Sequence, residues 1–151
     1  MNTNKLYSGR TVDMSTYPAK SGSSPQLLGF GSMPALAIAG SLKASQNFLR
    51  MLLSSKGERR EDPEFGSEFS SGLSSSNLVH PIQVYQIFSR SAVRILRKLS
   101  EEYTDDTPDD EKIKSAELIL FNMSSPTSIE LDIEITMDSE EEMSFLLPVP
   151  V

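Results

Sequence analysis

The chain has 151 residues, a formal net charge of −7, no Cys and no Trp. That length fits one domain of ordinary size plus tails. The lack of thiols excludes a disulfide framework, thiol chemistry and a cysteine-based metal site.

The charge is unevenly divided. Residues 1–100 hold 12 Lys+Arg against 6 Asp+Glu, and residues 101–151 hold 2 against 15, about +6 and −13 in formal charge. Such asymmetry can orient a subunit in an assembly but says nothing about fold. The basic residues lack interleaved aromatics, and the acidic half repels phosphate, so no nucleic-acid partner is expected. No apolar run approaches ~20 residues, which argues against membrane insertion. Met1 to Lys20 lacks the apolar core of a signal peptide. A soluble protein made in a reducing compartment fits.

In chain order, residues 1–33 are rich in Ser, Gly, Thr and Pro with no visible period. They read as an extended N-terminal arm carrying the isolated anchors Tyr7, Leu27, Leu28 and Phe30. Pro34 can begin a helix over Ala35–Ala39, which Gly40 either breaks or weakens. From Ser41 to Ser55, Leu42, Phe48, Leu49, Leu52 and Leu53 make a broad helical stripe.

The segment from Gly57 to Gly66 follows. Gly57 stands where a helix C-cap belongs, after Lys56. Pro63 biases Asp62 toward a bend, and Phe65-Gly66 suggests an aromatic anchor at a close backbone approach. Arg59 and Arg60 face Glu58, Glu61, Asp62 and Glu64. The ordinary reading is a solvated, salt-bridged loop, since exposed pairs contribute only ~0–1 kcal/mol. The sharper reading is a docking loop, in which Arg59 or Arg60 grips a neighbour's carboxylate and Phe65 fills a groove.

Ser67 to Asn77 holds six serines, with Phe69 and Leu73 four apart, and fits a short helix or turn. The best helical pattern follows His80-Pro81, with Ile82, Tyr85, Ser89, Ala92, Val93, Leu96 and Leu99 as its stripe. Arg90, Arg94, Arg97 and Lys98 lie on the remaining surface. Glu101 to Glu111, with seven acids and Pro108, reads as a solvated linker.

The period then becomes two. Ile113 to Met123 reads as a strand, and Ser124-Ser125-Pro126-Thr127 as a hairpin loop. Ile129, Leu131, Ile133, Ile135 and Met137 alternate with Glu130, Asp132, Glu134 and Thr136, giving one buried face and one acidic face. After an acidic turn at Asp138 to Glu142, Met143 to Leu147 can form a third strand. Pro148 and Pro150 confine the end to a sheet edge or an extended tail. The expected fold is therefore α+β, with helices on one face of a small antiparallel sheet of three or more strands. Its parts are an arm over 1–33, one domain over 34–147 and a tail over 148–151.

Catalytic chemistry is scarce. General acid–base work needs carboxylates in contrasting environments, and the acids here lie on wet strand faces and linkers. His80 reads as a cap or packing residue. No GxSxG-like elbow, calcium loop, P-loop or dinucleotide-binding glycine pattern is present. No catalytic residue, metal or cofactor is assigned.

The run from Asn47 to Phe69 (NFLRMLLSSKGERREDPEFGSEF) resembles the signature of the baseplate wedge proteins called sheath initiators. These belong to contractile phage tails, type VI secretion baseplates and related injection machines. Asn4-Lys5-Leu6-Tyr7-Ser8 is similar to the opening of some members. The resemblance spans about residues 36–147, and only residues 47–69 carry it specifically. It departs where members often have Glu-Pro-Arg; here Ser100 to Ser115 holds an acidic stretch instead.

The resemblance implies a structural virion subunit of the tail baseplate, made in the host cytoplasm and present in several copies. Its implied partners are other wedge proteins, the tail sheath protein and tube or hub proteins. The implied wedge-docking residues are Gly57, Glu58, Arg59, Arg60, Pro63, Glu64, Phe65 and Gly66, backed by the Leu42/Leu49/Leu52 stripe. Met143, Phe145, Leu146 and Leu147 are the implied site of strand addition to the sheath. The alternatives are a tail lysozyme acting through the Glu58/Glu61/Glu64 loop, or a soluble adaptor protein sharing the fold.

Overall fold

A computed structural model describes residues 13–14, 37–75, 81–125 and 128–150. Apart from Asp13–Met14, the expected arm over 1–33 lies outside the described residues, as do His80, Pro126, Thr127 and Val151. The fold is α+β. Strands β1 (Asp13–Met14) and β2 (Ala37–Ile38) form a two-residue antiparallel pair. Helices α1 (Ser41–Leu53), α2 (Phe69–Ser75) and α3 (Pro81–Glu102) follow. The chain then runs through a 3-10 turn at Asp109–Glu111 into β3 (Ile113–Ser125), β4 (Ser128–Met137) and β5 (Glu142–Pro150). These last three form an antiparallel meander with β4 in the centre.

The alternation of β4 decides how the layers meet. Ile129, Leu131, Ile133, Ile135 and Met137 are fully buried, joined from β5 by Phe145, Leu147 and Val149. The helices cover this face with Phe48, Leu49 and Leu52 of α1, Phe69 and Leu73 of α2, and Val84, Phe88, Ile95 and Leu99 of α3. Phe69 and Phe88 meet edge to face with centroids 6.0 Å apart. Such a pair adds about 1 kcal/mol beyond its buried area.

Three expectations are corrected. First, the buried stripe of α3 is Val84, Phe88, Ser91, Ala92, Ile95 and Leu99, while Ile82 and Val93 are 63% and 68% exposed. The stripe is rotated because Val84, Phe88 and Ile95 offer more apolar volume at helical spacing than the row through Ser89. Second, Leu49 and Leu52 have no exposure, so the α1 stripe packs within this chain and is closed to a partner.

Third, the acidic stretch begins inside α3, which runs to Glu102, and is tied down beyond it, although Asp105, Asp106 and Asp109 are solvent-exposed as expected. Tyr103 Oη accepts the Ile113 N–H at 2.9 Å, and burial raises the Tyr103 hydroxyl pKa. The Glu111 carboxylate takes Lys43 Nζ at 2.9 Å and the Gly40 N–H at 3.3 Å. It thereby sits at the positive end of α1. Gly40, at φ 66°, is the N-cap of α1, and Ala37–Ile38 before it pair as β2, so the described part of the expected Ala35–Ala39 helix is strand instead, while Pro34, Ala35 and Leu36 lie outside the described residues.

Candidate functional site

The segment between α1 and α2 is an Ω-shaped loop with joined ends. α1 ends at Leu53, and its C-cap is Ser54, so Gly57 lies three residues beyond the position expected for it. The Ser67 N–H donates to the Ser54 carbonyl at 2.9 Å, and the Lys56 N–H to the Ser67 carbonyl at 3.2 Å. Ser67 Oγ donates to the Leu52 carbonyl at 2.7 Å in a buried position. Gly66 makes this closure possible: at φ 99°, an added β-carbon would lie 2.6 Å from the Ser55 carbonyl oxygen. The Asp62-Pro63 bend forms as expected, with the Phe65 N–H on the Asp62 carbonyl at 3.0 Å and the Glu64 N–H on Asp62 Oδ1 at 3.2 Å.

The loop is pinned onto α3. Lys98 Nζ holds Asp62 Oδ1 at 2.6 Å, and Arg94 Nη2 holds Glu64 Oε2 at 2.9 Å. Lys56 reaches the same Glu64 oxygen at 3.5 Å. Lys98 therefore holds the Asp62 carboxyl below its ordinary range, and Lys56, with Arg94, does the same for Glu64.

Phe65 is only 7% exposed and belongs to the core. The groove it fills is this chain's own. The Arg59 guanidinium stacks on the Phe65 ring at 3.6 Å. Of the charged residues expected to dock, Glu58 and Arg60 are exposed and, among the described residues, make no cross-loop contact of this kind, and the same holds for their neighbour Glu61. They form the outward tip of a braced hook.

The sheet has two edges of different chemistry. The Met137 N–H donates to the Glu141 carbonyl at 2.9 Å, closing the β4–β5 turn. Bonding alternates along an antiparallel pair. With the register Met143↔Ile135 and Phe145↔Ile133, the odd residues of β5 bond to β4. Glu142, Ser144, Leu146, Pro148 and Pro150 turn their backbone outward. The prolines thus cost no ladder bond, but they leave Glu142, Ser144 and Leu146 as the outward donors of this edge.

β5 runs on to Pro150 as a paired strand, so the residues expected as a tail reach into the sheet. Among the expected strand-addition residues, Phe145 and Leu147 are core residues and Met143 is partly buried against the core. Leu146, 40% exposed, remains at the surface. This strand cannot be lent to another chain without opening the core. It can only accept one.

The opposite edge escaped the sequence reading. The Asp138 N–H donates to the Lys112 carbonyl at 2.9 Å, so the even residues of β4 bond toward β3. The register then turns the backbones of Ala116, Leu118, Phe121 and Met123 outward. Register shifts interrupt β3 near Lys114, Ile119 and Ser124. They hide the period of two, which is why alternation alone could not assign its faces.

Compared with protein-family models, curated proteins and solved structures, the chain matches none. What it can do therefore rests on this geometry: a rigid charged hook on the helical layer and two unpaired strand edges among the described residues.

Proposed function

We propose that this chain is a structural wedge subunit of a contractile-tail baseplate or a related injection machine. It docks to other wedge proteins through the hook and templates the first sheath ring by strand addition. The hook is the observation that carries this reading. The segment that resembles sheath initiators is a closed loop braced by Ser67, Gly66, Lys98 and Arg94. Such bracing preorganises Glu58, Arg60 and Glu61 and lowers the ordering cost of association. On the sheath side, the outward N–H groups of Glu142, Ser144 and Leu146 on β5 would accept a strand from a sheath subunit. Glu111, tying the acidic stretch to α1, occupies the region where sheath initiators often carry Glu-Pro-Arg.

A tail lysozyme would need one carboxyl raised well above its ordinary range beside an ionised one. Glu64 is shifted the other way by Lys56 and Arg94, which favours the mechanical reading. Turbidity of a peptidoglycan suspension checks this. Lysis that disappears in Glu64→Gln would establish the enzyme.

The assembly test exchanges charge at the hook tip with Arg60→Glu and Glu61→Lys, both at exposed positions. The monomer should keep its thermal midpoint but fail to enter wedge complexes. Normal particles containing this variant would remove the hook. Absence of the wild-type protein from purified particles would remove the whole reading.

A further inference from the structure

We infer that the chain pairs with a second copy of itself along the free edge of β3, antiparallel about a two-fold axis at Asn122. Among the described residues, no strand pairs with β3 on the side away from β4. The register shift near Ile119 divides that edge, and beyond it Phe121 and Met123 turn their backbone outward. Soluble proteins commonly blunt an edge strand with charge or proline. Residues 119–125, Ile-Leu-Phe-Asn-Met-Ser-Ser, carry neither. Four of the six large apolar side chains exposed among the described residues gather at this corner: Ile119 at 50%, Leu120 at 58%, Met123 at 55% and Ile82 at 63%. Ile82 lies one turn before Tyr85 on α3, and Tyr85 meets Phe121 edge to face at 5.8 Å. Exposed apolar side chains that cluster, where others scatter singly, mark a contact surface.

The residues around Asn122 are suited to face themselves. With Asn122 of the two copies opposite one another, Phe121 pairs with the partner's Met123, and Met123 with the partner's Phe121. Both turn their backbone outward, so the N–H and C=O of each join the new ladder, about four hydrogen bonds in all. Side chains opposite one another share a face. On the helical side, each Met123 sulfur therefore meets the other copy's Phe121 ring, a favourable pairing. On the open side, Leu120 and Asn122 make a neutral margin. Charge does not oppose the contact, because Glu117 lies outside the 119–125 span. The acid behind Asn122 is Glu130, its register partner on β4. Glu130 of the two copies would stand three strand spacings apart, about 14 Å, beyond the Debye length of about 8 Å at physiological salt. A basic or acidic strand would find only neutral side chains at this edge, whereas a second copy brings a matching neutral one. Each copy contributes three strands, and the joined sheet ends on both sides in β5, with Pro148 and Pro150. An isologous contact of this kind closes at two copies.

The inference requires only the isolated chain, so it stands or falls separately from the baseplate reading. Sedimentation equilibrium of the full-length protein should approach twice the mass of one chain at high concentration and fall to one chain's mass on dilution. In the concentrated sample the Phe121 and Met123 N–H groups should exchange about tenfold more slowly than in the dilute one, while the Ser144 and Leu146 N–H groups should not change. Asn122→Asp and Asn122→Lys, at an exposed position, each set like charges across the axis and should weaken association about fivefold. An equimolar mixture of the two variants should associate at least as tightly as wild type, which damage to the fold would not produce. Met123→Pro removes an outward donor from each copy without touching a β3–β4 bond, and should weaken association at least about tenfold. A single-chain mass at every concentration, assemblies larger than two copies, or protection on β5 instead of β3 would overturn the inference. So would undiminished association of both charged variants, or a mixture no tighter than its components.

Discussion

At Gly66 the added β-carbon would meet the carbonyl oxygens of Ser55 and Ser54 at 2.6 and 2.8 Å, both backbone atoms that cannot move aside cheaply. At Gly57, φ is 79° but nothing lies within 4 Å. Both positions disfavour a side chain, and only one adds a clash. Gly57→Ala should therefore cost about 1 kcal/mol, the usual penalty of a left-handed alanine. Gly66→Ala should cost about 3 kcal/mol or more through loop closure. Urea unfolding of the two variants checks the ranking, and equal midpoints would show that the loop ends can part freely. The Asp62 and Glu64 carboxyls add a pH dependence. Their folded values lie below the ordinary ones. Their contribution is thus complete above the unfolded carboxylate range and is lost as pH falls through the folded values, below about pH 4. NMR titration should show the Glu64 and Phe65 amides shifting in that window. In Lys98→Met, the Asp62 transition should move upward, toward the ordinary value. The residues of the hook were legible in the sequence because Pro, Gly and charge mark a loop. That Phe65 turns inward was not, because Arg59 covers its ring only once the chain has folded.

Among the elements, β4 was the most readable and α3 the least. Strict alternation over Ile129–Met137 admits one assignment of faces, and all five apolar residues are fully buried. Along α3, apolar residues occur on nearly every side, so the phase is chosen by what packs against it. Phe69 of α2 supplies that choice by meeting Phe88 edge to face, with Leu73 in the same core cluster. Phe88→Ala should accordingly lose about 3–5 kcal/mol, while Val93→Ala should stay within about 0.5 kcal/mol. Thermal unfolding of the pair decides it, and a reversed order would restore the phase through Val93. β5 makes a comparable demand. Deleting residues after Glu142 removes Phe145, Leu147 and Val149 from the core and uncovers β4. The deleted protein should lose its cooperative transition and its near-ultraviolet circular dichroism. A folded truncation would mean that β5 is dispensable and free to be lent.

The charge asymmetry of the chain becomes a spatial asymmetry of the molecule. The helical layer pairs its charges: Lys98 with Asp62, Arg94 with Glu64, and Arg97 with Glu101 at 3.4 Å. On the open face of the sheet, like charges gather. Glu117 stands directly opposite Glu134, and Glu130, Asp132 and Glu142 share that face. Like charges opposite one another across strands destabilise a sheet by a few tenths of a kcal/mol up to about 1 kcal/mol. Added salt weakens both terms, the pairs on one side and the repulsion on the other. The pairs are exposed or half-buried and contribute little, whereas Glu117 and Glu134 face one another directly across the strands. The thermal midpoint should therefore rise as sodium chloride is raised from about 10 mM to about 200 mM. Glu134→Lys should raise the low-salt midpoint and flatten that dependence, because it turns the Glu117–Glu134 contact into an attraction. A midpoint that falls with salt would instead assign the balance to the hook and α3, and the open face would then be electrostatically neutral in effect. If the midpoint rises, the fold itself carries the cost of like charges opposed across the sheet.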